Sequence, residues 1–251
     1  RYPNTNWYEE TMKPSSLQQY ANVELRGGSE WLKYVVSFGA NFQDGIYKNS
    51  ATKYNQANFR SNLDGKITDN INLSVDISGR QENRNFPTRS ASDIFSMLMR
   101  GYPNSHAYWP NGLNGPDIAL GNNPVVITTK QSGYNKRINY VFESVVKLNI
   151  NIPWIEGLSL TSNVSFDKNI QNRKLWEIPW YLYTWDGQSE DDNNIPILNP
   201  AQKGFESPQL TQNMADASRM TINGLLNYQR SFDEKHRINF LFGSERLTGD
   251  N

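Results

Sequence analysis

VKLNINIPWIEGLSLTSNVSFD, residues 146–167, holds two alternating runs on either side of a turn. In the first, Val146, Leu148 and Ile150 alternate with Lys147, Asn149 and Asn151. In the second, Leu158, Leu160, Val164 and Phe166 alternate with Ser159, Thr161, Asn163 and Ser165. Successive side chains of a strand point to opposite faces, so each run has one apolar and one strongly polar face. A soluble core and a lipid bilayer would both satisfy the apolar face, and the choice between them decides the fold.

This stretch is one of four hairpins of the same kind. Runs 18–26 and 32–43 flank GGSEW, 57–66 and 71–80 flank ITDN, 136–152 and 158–173 flank IPWIEG, and 219–231 and 237–247 flank FDEKH. On 32–43, Leu32, Tyr34, Val36, Phe38, Ala40 and Phe42 share one face; on 71–80, Ile71, Leu73, Val75 and Ile77 do so. Short turns join the arms of each hairpin, whereas long segments (44–56, 81–135 and 174–218) join one hairpin to the next. Every short turn therefore falls at one end of the sheet and every long loop at the other, the sidedness of outer-membrane barrels. A soluble sandwich has no reason to sort its loops in this way. Several runs reach about 10–16 residues, against about 5–6 for an ordinary strand and about 9–11 for a tilted membrane-spanning one. The face opposite the apolar one carries Glu24, Arg26, Lys33, Arg60, Asp64, Asp76, Arg80, Glu143, Lys147 and Asp167, which suits a wet lumen. Trp31, Trp154 and Phe232 stand at the short-turn end, where an interfacial aromatic girdle belongs. The pattern predicts an all-β fold: about eight long antiparallel strands of a transmembrane β-barrel, apolar face on lipid. The competing reading is a large soluble β-sheet with one solvated face.

Composition narrows the classes. The chain has 251 residues, 37% hydrophobic and 12% aromatic, with 7 Trp and 13 Tyr, and a mean hydropathy of −0.71. No apolar run approaches the ~18–20 residues of a spanning helix, but a barrel escapes that test because half of each strand faces a polar lumen. The 25 basic and 25 acidic residues balance, which gives no electrostatic footprint for nucleic acid. The absence of cysteine removes disulfides, thiol catalysis and Cys/His zinc sites. The chain opens RYPNTNWYEE with no signal-peptide pattern and closes SERLTGDN just past a strand, so an excerpt of a longer protein is expected.

The loops hold the candidate chemistry. SASDIFSMLMRG offers a capping residue, then Ile94, Phe95, Leu98 and Met99 at helical spacing, and Gly101 as a stop, which predicts a short helix near 92–100. The following GYPNSHAYWPNGLNGPDIALGNNPVV reads as ordered turns. KLWEIPWYLYTWDG concentrates aromatic residues; if extended, it puts Tyr181, Tyr183 and Trp185 on one face and Trp180 on the other. Flat aromatic faces suit sugar rings, so Tyr108, Trp109, Trp180, Tyr181, Tyr183 and Trp185 are the candidate ligand-binding residues. Packing of the loops on one another is the competing role. Catalysis is not expected: Asp186, Glu190, Asp191 and Asp192 lack an acid/base context and read as a solvated loop face. Nor is a metal or cofactor: the glycine of that loop follows Asp186 directly, unlike a calcium loop, and His106 and His236 have no ligand spacing.

At NTNWYEETM, VELRGGSEWLKYVVSFGANFQDGIYKNSATKYNQANFRSNLDGKIT, YWPNGLNGPDIALGNNPVVI, INIPWIEGLSLTSNVSFDKN and KLWEIPWYLYTWDG the sequence resembles the SusC/RagA family of TonB-dependent outer-membrane transporters. The glycine-paired turn, the QDGIYKNS loop and the FRSNLDGKIT strand carry the resemblance most specifically. It implies a 22-stranded barrel in the outer membrane of a Gram-negative bacterium, an N-terminal plug, and a TonB-engaging segment before or within the plug. It also implies a SusD-like surface lipoprotein closing over the barrel as a lid. Such transporters import oligosaccharides, or peptides in some members, and the lid gives the loop aromatics a third possible partner. On this reading residues 1–251 are one partial barrel domain, beginning just after the plug and the first strand. Oligosaccharide uptake is the expected function, with a peptide importer and a soluble carbohydrate-binding β module as alternatives.

Overall fold

The computed structural model describes residues 2–50, 52–233 and 236–250. Among the described residues are ten strands: β1 (Gln18–Gly28), β2 (Leu32–Asp44), β3 (Lys53–Thr68), β4 (Ile71–Phe86), β5 (Gly133–Asn151), β6 (Leu158–Glu177), β7 (Trp180–Glu190), β8 (Pro196–Lys203), β9 (Gln209–Phe232) and β10 (His236–Asp250). Eight form one sheet in the order β1-β2-β3-β4-β5-β6-β9-β10, every neighbour antiparallel. β7 and β8 pair separately, inside the connection from β6 to β9. Among the described residues the α-helices are α1 (Trp7–Thr11), α2 (Ala91–Arg100) and α3 (Pro124–Ile127), and a single 3₁₀ turn spans Lys130–Ser132.

All four expected hairpins form, with short turns at one end of the sheet and the connections 45–52, 87–132 and 178–208 at the other. Of the FDEKH turn, Glu234 and Lys235 lie outside the described residues. His236, expected in that turn, instead opens β10 opposite Phe232. The strands also run past the ends that alternation indicated. β4 continues through QENRNF to Phe86, and β9 begins at Gln209 rather than near residue 219. In these extensions apolar residues are sparse (Phe86 on β4, Leu210 and Met214 on β9), so pairing persists where regular alternation stops.

Register fixes the faces, because residues paired across a ladder point the same way. Phe38 pairs with Phe59, Phe59 with Gly79, and Gly79 with Phe142. Four residues along, Val75 pairs with Val146, Val146 with Val164, and Val164 with Ile222. The other face carries the row Ser37, Arg60, Ser78, Glu143, Asp167 and Arg219. Its polar groups bond to one another: the Ser78 hydroxyl donates to Glu143 at 2.9 Å, that of Ser74 to Asp64 at 2.6 Å, and Asn163 to Asn223 at 2.7 Å.

Nothing among the described residues covers the apolar face. Val23, Phe38, Phe166, Ile222 and Phe240 are all exposed, Phe38 at 61%. Among the described residues, every buried apolar side chain belongs to the loop end and none to the eight-stranded sheet. That core joins Trp7, Met12, Tyr47, Ile94, Met97, Val126, Trp180 and Leu182. α2 contributes Ile94 and Met97, while Phe95 and Met99 stay exposed. It is capped by Ser90, whose hydroxyl accepts from the Asp93 N–H as the Asp93 carboxylate accepts from the Ser90 N–H.

The sheet is also sheared. Leu32, at the foot of β2, is level through Gly65, Leu73, Leu148 and Ser162 with Gly224, and β9 runs eight residues further, to Phe232. The apolar band slants with it. Its last apolar residue before a charged one is Phe42 on β2. On β6 it is Phe166, level with Val36 of β2; on β10 it is Phe242, level with Leu160 of β6. Tilted strands with a progressive stagger are what closing a sheet into a barrel demands, and on tilted strands such a slant keeps the apolar belt at one height.

Candidate ligand site in the aromatic loops

β7 forms because alternation survives within the aromatic segment. Trp180 and Leu182 point into the loop core, at 5% and 0% exposure, and Tyr181, Tyr183 and Trp185 lie on the opposite face. β8 pairs along one edge, setting Tyr183 against Pro200 and Tyr181 against Gln202. Pro196 and Pro200 cannot donate to a ladder, which a two-stranded ribbon tolerates. Two side chains from the segment after α2 hold carbonyls of β7. The Trp109 indole N–H donates to the Tyr183 carbonyl at 2.9 Å, and the Asn114 amide to that of Tyr181 at 2.8 Å.

A cavity of about 780 Å³ opens where these segments meet, lined by His106, Trp109, Trp185, Asp186, Ile195 and Leu198 among others. His106 stacks on Trp109, ring centroids 4.4 Å apart. Burial, foremost, pushes the imidazole below its ordinary pKa, so the stack is uncharged at neutral pH. Trp185 is fixed by its indole N–H, which donates to the Ser189 carbonyl at 2.8 Å. The Asp186 carboxylate accepts from the Ser189 hydroxyl and from the N–H groups of Ser189 and Gln188, the latter two at 2.8 and 2.9 Å. These bonds, led by the Ser189 hydroxyl, hold its pKa at about 2. The cavity therefore offers the half-buried Trp185 indole, a neutral imidazole stacked on the buried Trp109, and a fixed anionic acceptor. Such a surface can stack on flat apolar groups and accept hydrogen bonds.

Of the six candidates, Trp109 and Trp185 line this cavity together. Tyr183 does not line it; its main-chain carbonyl accepts from the Trp109 indole N–H. Trp180 is a core residue. Tyr181 is 43% exposed, its hydroxyl 3.5 Å from Gln202. The Tyr108 hydroxyl lies 3.5 Å from the Val125 carbonyl, and burial raises its pKa. His106, weighed in the sequence only as a metal ligand, and Leu198 were not among the candidates. No local pattern marks them, since the cavity joins residues about 80 positions apart. Asp191 accepts from the N–H groups of Asn193 and Ile195, as a solvated turn does. Among the described residues no three His, Asp or Glu side chains gather as a metal site would need.

The sequence matches no protein-family model and no curated protein. Solved structures do match. The RagAB peptide importer in its closed-closed state aligns with a TM-score of 0.70 at 15% identity, over 97% of this chain and 25% of that one. A RagAB peptide transporter structure gives 0.68 at 15% identity, over 98% and 26%. The open-open importer gives 0.57 at 12%, over 96% and 32%. This chain thus has, nearly end to end, the fold of a segment spanning about a quarter to a third of the RagAB chains.

Proposed function

We propose that residues 1–251 are one part of the barrel domain of an outer-membrane importer of the SusC/RagA type. The barrel takes up a solute captured by the external loops, beside a SusD-like lipoprotein lid and under the drive of TonB. One observation carries this reading: the apolar face is uncovered and slants with the shear of the sheet, while the apolar core is confined to the loop end. A soluble carbohydrate-binding module would bury that face, since exposed apolar patches beyond a few hundred Å² mark an interface or a membrane.

For the solute, the cavity beside Trp185 favours an oligosaccharide, whose rings stack on indole faces. The RagAB likeness favours a peptide. Titrating the purified full-length protein with neutral oligosaccharides and with mixed peptides, following tryptophan fluorescence, separates the two. A response to one class that Trp185→Ala weakens, with assembly intact, supports capture in this cavity. The same affinity in Trp185→Ala and the parent refutes it.

A further inference from the structure

A second cavity, of about 800 Å³, lies over the polar face at the loop end of the sheet, and its chemistry differs from the aromatic one. Three arginines stand in a single cross-strand row there: Arg84 pairs with Arg137, and Arg137 with Arg173. Tyr54 continues the row on β3, with the Arg84 guanidinium 4.8 Å above its ring. Directly opposed like charges destabilise a sheet, and facing Cβ atoms lie only about 5 Å apart. A row of three therefore calls for a counter-charge.

The described residues supply little. Glu82 lies 3.5 Å from Arg84 but is shared with Arg80 at 3.3 Å. Arg173 donates to the neutral Asn135 amide oxygen at 3.2 Å. The Arg137 guanidinium has no hydrogen bond or ion pair among the described residues, and the Nε atoms of Arg84 and Arg137 are buried without an acceptor. Arg89 adds a further cation to the cavity wall, and Asp44, the one carboxylate among its described lining residues, is bound to Lys13 at 2.6 Å.

We infer that the Arg84–Arg137–Arg173 row is a binding site for a carboxylate of the imported solute. Guanidinium forks match a carboxylate in bidentate geometry, and such charge-assisted bonds are the strong ones. The inference rests on the importer reading for its occupant and deepens it: the solute carries at least one acid, as a uronate sugar or as a peptide carboxylate. The site lies on the opposite side of the sheet from the uncovered apolar face, where a solute passing through the barrel would travel.

The test uses the purified full-length protein in detergent, with probes in acid and neutral pairs. One pair is trigalacturonate against its methyl ester; the other is a short peptide with a free against an amidated carboxy terminus. At low salt, at least one free acid should bind about tenfold more tightly than its neutral partner. Which pair discriminates identifies the source of the carboxylate. Arg137→Gln should abolish the preference while neutral-probe affinity and barrel assembly stay unchanged. Arg137→Lys, which keeps the charge and loses the fork, should retain only part of it. The inference is overturned if the parent protein shows no preference, whether both partners bind or neither does, or if the preference survives Arg137→Gln. Uptake by cells tests the importer reading separately: preference without uptake removes the importer and leaves the site.

Discussion

Trp109 donates its indole N–H to the carbonyl of Tyr183, 2.9 Å away and 74 residues later in the chain. This bond fastens the segment after α2 to the free edge of β7, and one wall of the aromatic cavity depends on it. Trp109→Phe keeps a ring and removes the donor, leaving a carbonyl without its partner. The change should lower the stability of the loop layer by about 1 kcal/mol. Hydrogen exchange should show faster opening of residues 180–186 with the eight-stranded sheet unaffected. Exchange unchanged in β7 would mean the bond does not hold the layer.

The faces of the sheet predict opposite responses at adjacent positions. Phe38 stands on the uncovered face and Ser37 opposite Arg60 on the polar one. Phe38→Arg should cost about 2–4 kcal/mol if that face meets the middle of a bilayer. Ser37→Arg should cost far less. Folded-barrel yield by heat-modifiability on gels compares them, and equal losses would contradict the assignment of faces.

Sidedness is checked on cells. Leu120 is 80% exposed at a turn, and Asn193 lies in the β7–β8 turn. Epitope tags inserted at either position of the full-length protein should bind antibody on intact cells. A tag in the 152–157 turn should bind only after the outer membrane is permeabilised. The reverse result inverts the topology.

Gly133 opens β5 at φ 113°, and a Cβ there would collide with the Trp176 carbonyl oxygen. Gly133→Ala combines backbone strain with that clash and should destabilise the β5–β6 pair by about 1–3 kcal/mol. Proteolysis near residues 130–133 should accelerate. Gly224→Ala, where a Cβ meets open space, is the control and should leave the cleavage rate near that of the parent.

Asp186 gives a pH signature. Its folded pKa, about 2, lies below the ordinary carboxylate value because of the Ser189 and Gln188 donors. Its contribution is therefore fully present above the unfolded pKa, near 3.9, and fades as pH falls through about 2. A carboxyl titration by NMR should give a midpoint near 2, and Ser189→Ala should move it up. An unchanged midpoint in the variant would mean the hydroxyl does not set it.

How much of this was legible in the sequence depends on what the alternation could report. Leu148 and Lys147 sit on opposite faces because pleating alone dictates it, so the hairpins, their faces and their sidedness could be read. The α2 start could be read too, since the Ser90–Asp93 capping box is local. The upper strand ends could not, because residues such as Gln81 to Asn85 have water-compatible side chains on both faces. The prolines at 196 and 200 hid β8. The sites were half legible. Trp109 and Trp185 could be named, but the carbonyl bond that joins their segments is long-range. The arginine row was invisible because Arg84 lies beyond the expected end of its strand, and register alone aligns it with Arg137 and Arg173.

The two outermost strands, β1 and β10, pair on one side only among the described residues, and both are exposed along their whole length. Each presents a long row of open main-chain donors and acceptors to whatever comes alongside, and a bilayer interior offers none in return. A polypeptide ending at these two strands, released into water, would find its most available complement in another copy of itself. Biophysical work on these residues in isolation would then report on fibrils, with dye binding and turbidity tracking concentration. Meaningful measurements need both flanks occupied.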